Sequence, residues 1–156
     1  MYCKQRGRHG SHEHESFDFL GYTFRPRKAI TRTGQVFVSF SPAVSNHAAK
    51  AMRQQIRSWR LHHRTTQSLE ELARAVNPVV RGWINYYGRF HRSTLSKVVL
   101  RHLNEYLIRW AMWKYKPMRR SPRKAAVFLA RVVRSRPDLF AHWRLVSIKA
   151  GVAGAG

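Results

Sequence analysis

Acidic residues are scarce in this sequence: seven Asp and Glu stand against thirty Lys and Arg, for a formal charge of +23 and a pI of about 11.7. Such a one-sided chain repels itself, and a polyanion or counterions must relieve the repulsion. Only two aspartates occur, Asp18 and Asp138, far apart in the chain. Two-metal phosphoryl transfer needs clustered carboxylates, and this spacing offers none. Cysteine is almost missing. Cys3 alone cannot close an internal disulfide, which agrees with a reducing compartment. No stretch approaches the roughly 20 apolar residues of a spanning helix, and Met1–Ser16 contains no apolar run of the signal-peptide kind. The expectation is a soluble, cytoplasmic protein with no membrane partner. There is no Gly-x-Ser-x-Gly elbow and no Cys-His arrangement for a nucleophile. Cys3 with His9, His12 and His14 fits no closed zinc spacing, so neither metal nor cofactor is expected.

What is present suits a globular domain that binds nucleic acid. The apolar fraction is 44% over 156 residues, enough for one domain with a core plus a small appendage. The basic residues are mostly Arg and 12% of the chain is aromatic, a combination suited to phosphate forks and base stacking.

The predicted fold is mainly α, an N-terminal β-hairpin followed by an α-helical bundle. Residues 1–16 lack any hydrophobic period and read as irregular, and 146–156 read as a disordered tail. Residues 17–42 carry the hairpin, with Phe17–Phe24 or slightly more paired against Gln35–Phe40 across Thr33-Gly34, and Ser41-Pro42 ending the ladder. Residues 43–145 form the helical domain. Ser45 caps a helix to about His62 whose Ala49, Met52, Ile56 and Trp59 share a face. Ser68 and Glu71 form a capping box, and Asn77-Pro78 stops that helix and starts another to about Phe90. Ser93 opens a long helix ending before Pro117, and Ser121-Pro122 opens the last, Arg123 to Arg136, with a possible helical turn over Pro137–Trp143.

Three groups of polar residues are candidates for nucleic-acid contact. Lys50, Arg53, Arg57, Arg60 and Arg64 recur at helical spacing and fall in one sector of the first helix, and only Asp18 breaks the absence of carboxylates between Glu15 and Glu70. Arg81, Asn85 and Arg92 lie on the side of the next helix away from Trp83, Tyr87 and Phe90, which read as core. Lys114, Lys116, Arg119 and Arg120, with Arg123 and Lys124, surround the break at Pro117. For each group the alternative is a solvated or solubilising charge run. Trp110, Trp113 and Tyr115 are expected to close the bundle, His102 to be a core histidine, and Arg131 and Arg134 to be exposed. Gly82 and Gly88 weaken a helix by roughly 1 kcal/mol each, which close helix packing or close approach of a nucleic-acid backbone would explain.

Two motifs carry a family resemblance. Phe17-Asp-Phe-Leu-Gly-Tyr-Thr-Phe24 with Arg25-Pro-Arg27 resembles the last palm motif of group II intron reverse transcriptases, and Asn77-Pro-Val-Val-Arg-Gly-Trp-Ile-Asn-Tyr-Tyr-Gly-Arg-Phe90 resembles the signature of their maturase-specific domain, domain X or thumb. Leu107–Lys116 and Pro137–Trp143 are similar to its later landmarks. The resemblance implies a thumb-like bundle that binds group II intron RNA and assists its folding and splicing, with Mg²⁺ belonging to the RNA. The family's Tyr-x-Asp-Asp motif has no counterpart in this sequence, so the expectation is a chain that is not an enzyme on its own. The rivals are the thumb half of a split or truncated reverse transcriptase, completed by a separate fingers and palm polypeptide, and a non-functional mobile-element remnant. A duplex DNA binder is disfavoured, because no recognition-helix motif is visible.

Overall fold

The computed structural model describes residues 16–148. The expected irregular segment before Ser16, with Cys3, His9, His12 and His14, and the tail beyond Ile148 lie outside the described residues.

Five short strands precede the helices: β1 (Phe17–Phe19), β2 (Tyr22–Phe24), β3 (Arg27–Ile30), β4 (Val36–Ser39) and β5 (Pro42–Val44). The expected pairing of Phe17–Phe24 with Gln35–Phe40 does not occur. Leu20 and Gly21 both take positive φ, 49° and 80°, so the chain reverses between Phe19 and Tyr22 and β1 pairs antiparallel with β2. A two-residue loop with both residues left-handed matches the twist of a tight hairpin. β3 and β4 form a second, separate hairpin. Pro42 opens β5 instead of ending the ladder, opposite Phe24 on the far side of β2. It stands at the strand's first position, where proline's lost donor is tolerated.

The helices are α1 (Asn46–Ser58), α2 (Leu69–Tyr87), α3 (Arg92–Leu95), α4 (Arg101–Lys114) and α5 (Pro122–Ser135). The expected caps form. Ser45 Oγ accepts from Ala48 N, Ser68 and Glu71 make the reciprocal box, and Ser121 Oγ accepts from Lys124 N. α3 begins after His91 rather than at Ser93 and runs through a π-helical turn, Ser96–Leu100, into α4. Pro137–Trp143 forms turns rather than a helix.

Two boundaries differ from expectation for physical reasons. α1 stops at Ser58, because Leu61 is fully buried. Five residues beyond Ile56, a continuing helix would aim Leu61 about 140° from the apolar stripe. Arg60 instead turns left-handed (φ 48°), and a 3-10 turn over Leu61–His63 brings Leu61 into the core. α2 runs through Pro78 without a break. Pro78 is exposed, as is Arg74, whose carbonyl loses its helical donor there, so the missing bond falls on the outer side of the helix.

The core lies among α1, α2, α4 and α5, with Trp110, Leu72, Leu103, Leu107, Leu129 and Phe140 wholly buried. Asn77 ties the C-terminal segment to α2: its Nδ2 donates to the Leu139 carbonyl and its Oδ1 accepts from Ala141 N, both at 2.9 Å. Val146 and Ile148, assigned to the tail by sequence, are half-buried against the core. The three-stranded sheet docks on α2 through Tyr22, whose hydroxyl donates to the Tyr86 carbonyl and whose ring meets Tyr86, Tyr87 and Phe90. Gly21 is required there, because an added Cβ would lie 2.5 Å from the Tyr87 hydroxyl at a φ of +80°.

Candidate functional site

The cationic residues divide into those held inside the fold and those left facing water. Lys50 and Arg57 are exposed on α1. Arg53, half-buried between them, donates from Nη1 to the Val98 carbonyl in the π-helical turn at 3.2 Å, so it fastens α1 to the α3–α4 run. Arg60 and Arg64 do not continue the helical stripe, because the helix has ended before them. Arg60 is exposed on the left-handed turn and Arg64 is half-buried beyond the 3-10 turn.

The loop that follows α1 is fixed to α4 at its carbonyls. Trp110 Nε1 donates to the Arg64 carbonyl at 2.9 Å. Lys114 Nζ donates to the carbonyls of Thr65 and Gln67 at 2.9 and 2.8 Å. Lys114 therefore serves as a staple as well as a charge. The docked loop sets the rings of His62 and His63 edge-to-face with Trp113, centroids 5.4 and 5.0 Å apart, and His62 against Tyr106 at 5.5 Å. Between α1, this loop and α4 lies a cleft of about 600 Å³ lined by Arg57, Arg60, His62, His63, Tyr106 and Arg109. Arg109 lies over the Tyr106 ring, its guanidinium carbon 5.2 Å from the centroid. Burial, then His63, Arg109 and Arg60, push the His62 imidazole toward its neutral form.

The other candidate residues stand elsewhere. Arg81 and Asn85 are exposed on α2 and line a smaller cleft of about 310 Å³ with Asp138 and Arg144, which form an ion pair. Arg92 is not on α2 but opens α3, and its Nε donates to the Gly88 carbonyl at 3.0 Å. Lys116, Arg119 and Arg120 are exposed together around the 3-10 turn Lys116–Met118 between α4 and α5, and Arg120 has a φ of 65°.

Several readings of neutral residues need correction. Trp113 does not close the bundle: it is 56% exposed, whereas Trp110 is wholly buried. Phe90 is 55% exposed beyond the end of α2, unlike Trp83, which stacks on Trp59. His102 is a half-exposed surface residue paired with Glu105 at 3.3 Å rather than a core histidine. Gly82 has open space around it, while a Cβ at Gly88 would lie 2.4 Å from the Ile84 carbonyl oxygen. Arg131 and Arg134 are exposed as expected.

His62, His63, Tyr106, Arg109 and Trp113 were not identified from sequence as a group. Their one signal in the sequence is the recurrence of Tyr106, Arg109 and Trp113 at i, i+3 and i+7 on α4, a spacing that a core stripe shares.

The carboxylates of the described residues all have nearby partners. Asp18 accepts from the Thr23 hydroxyl, Glu70 pairs with Arg136, Glu71 accepts from Ser68 N, Glu105 pairs with Arg101 and His102, and Asp138 pairs with Arg144. None of them lines the larger cleft. Among the described residues, no three His, Cys, Asp or Glu side chains are grouped to hold a metal ion, and no helix is long and apolar enough to cross a membrane.

These features define a mainly helical domain with an exposed cationic surface and an aromatic, arginine-lined cleft. Residues 49–128, just over half of the chain, match the family model of the group II intron, maturase-specific domain, and the chain belongs to that family. The matched span contains all but the first three residues of α1, all of α2, α3 and α4, and the first half of α5, including the larger cleft. No curated protein and no solved structure matches the chain.

Proposed function

We propose that the chain is an RNA-binding maturase module that binds group II intron RNA and assists its folding and splicing, without catalytic groups of its own. The observation that carries this reading is the unneutralised set Lys50, Arg57, Arg60 and Arg109, exposed on α1, the following turn and α4 and without an ion pair among the described residues. A phosphate backbone supplies the missing counter-charge, and the protein's part is to neutralise and position it. Arg81 and Asn85 on α2, and Lys116, Arg119 and Arg120 beyond α4, extend the reading to further contacts.

The test is a salt titration of binding to a structured group II intron RNA and to an unrelated RNA of equal length. Lys50, Arg57 and Arg60 changed together to Gln should weaken binding and reduce the slope of log K against log salt by about 2, at roughly 0.7–0.9 per lost phosphate contact. Arg53 is left intact because it braces the fold. An unchanged slope refutes the assignment of these residues. Equal, salt-sensitive binding of both RNAs refutes the maturase reading and leaves a polycation.

A second reading, the thumb half of a split reverse transcriptase, is favoured by the second hairpin. Ile30, Val36, Phe37 and Val38 are 71%, 50%, 41% and 46% exposed, and Phe19 and Leu20 on the first hairpin are 59% and 67% exposed. Large apolar residues left exposed on two hairpins suit an interaction surface, and a fingers and palm polypeptide is the partner the family implies. Co-expression with such a polypeptide should yield a complex that Phe37→Ser with Val38→Ser dissociates. A chain that stays monomeric in its presence counts against this reading.

A further inference from the structure

The cleft at the end of α1 brings arginines and aromatic rings together. Arg57 and Arg60 enter it from α1 and the left-handed turn, and Arg109 enters from α4. The three guanidiniums have no ion pair among the described residues, since Glu105, the carboxylate nearest to Arg109 in sequence, is occupied by Arg101 and His102. One helical turn beyond Arg109 on α4, Trp113 leaves 56% of its surface in water, although its neighbour Trp110 shows that this helix buries tryptophan where packing requires it. Trp113 is instead held edge-to-face against His62 and His63. The ring cluster sits on a wall anchored by three bonds from Trp110 and Lys114 to the loop carbonyls, so little ordering remains to be done on binding. Its volume of about 600 Å³ lies within the range of small-ligand pockets, about 300–1,000 Å³.

We propose that this cleft holds one unpaired nucleotide of RNA, its phosphate among Arg57, Arg60 and Arg109 and its base stacked against Trp113 and His63. The inference rests on the RNA-binding reading above and names the form of RNA this part of the surface takes. A paired strand presents phosphates but keeps its base faces stacked inside the helix, which would leave Trp113 without a partner. A splayed nucleotide offers both a phosphate for the guanidiniums and a π-face for the rings, without regard to base identity.

The test uses the full chain, a labelled ten-nucleotide oligouridine and a ten-base-pair RNA duplex, with affinities measured by fluorescence anisotropy across a salt series. Trp113→Ala should weaken the single strand about tenfold without changing its salt slope, and leave the duplex affinity unchanged. Trp113→Phe should retain most of the single-strand affinity, because the ring face is what binds. Arg109→Gln should lower the single-strand slope by about 0.7, one phosphate contact. Circular dichroism verifies the fold of each variant, and Arg109→Gln tests the cleft through an exposed side chain whose one ring contact, with Tyr106, lies at the surface. Equal weakening of both probes by Trp113→Ala, or no effect on either, overturns the nucleotide pocket. Salt-independent binding of both probes by the unaltered chain overturns the broader RNA-binding reading as well, so the two failures are distinguishable.

Discussion

His142 offers a stability test that depends on the tertiary structure alone. The residue is wholly buried beside Phe140 and Trp143. Asn104 Oδ1 lies 2.8 Å from His142 Nε2 and also accepts from Trp143 Nε1 at 3.2 Å, so His142 donates through Nε2. Burial pushes its pKa from the ordinary 6.5 down to about 3. The unfolded chain therefore takes up a proton that the folded chain refuses throughout that interval. Stability from this group is complete above pH 6.5 and falls as the pH drops toward 3. The linkage relation gives a loss of about 2 kcal/mol on going from pH 8 to pH 5. His62 and His91, also lowered mainly by burial, add losses of the same sign. Glu70 and Asp138, lowered by hydrogen bonds from Arg136 and Arg144, lose their contributions only at still lower pH, so pH 5 separates the two classes. The assay is urea unfolding at pH 8 and pH 5, followed by tryptophan fluorescence and far-ultraviolet circular dichroism. His142→Gln keeps a donor toward Asn104 but cannot titrate, so its stability should drop by about 2 kcal/mol less than that of the unaltered chain across the same interval. An identical pH dependence in the two proteins would refute the argument.

Two further substitutions probe how the fold is fastened. Asn77→Ala removes both bonds to the Leu139–Ala141 segment and leaves a carbonyl and an N–H without partners; it should destabilise by about 2–3 kcal/mol and raise hydrogen exchange at Ala141 before the core opens. Gly21→Ala combines a left-handed backbone with a clash against the Tyr87 hydroxyl, so it should cost about 1–3 kcal/mol and change the Tyr22, Tyr86 and Tyr87 proton shifts, whereas Gly34→Ala, with open space around it, should leave those shifts unaltered.

The features that were legible in the sequence are those whose causes lie within a few residues. Ser45, Ser68 and Ser121 bond to amides three positions on, so the starts of α1, α2 and α5 could be read from residue types alone. The charge excess and the Asn77–Phe90 motif likewise need no structure, and they carried the family assignment and the expectation of an RNA partner. The strand pairing is not legible in this way: the two-residue Leu20-Gly21 turn reverses the chain before it can reach across Thr33-Gly34, which closes a separate hairpin.

What the tertiary structure decided is which of the cations are available and what stands beside them. Arg53 and Lys114 look like their neighbours in sequence, yet their bonds to Val98, Thr65 and Gln67 commit them to the fold. Arg60 leaves the helical stripe because Leu61 must reach the core, a demand that exists only once α1, α2 and α4 have assembled around it. The same docking places His62 and His63, which line the arginine cleft, against Trp113, an apparent core tryptophan that is exposed instead. A helical period records the direction each side chain takes from its own axis. It carries no record of the loop that crosses that axis from 46 to 49 positions away, and the cleft is made by that crossing.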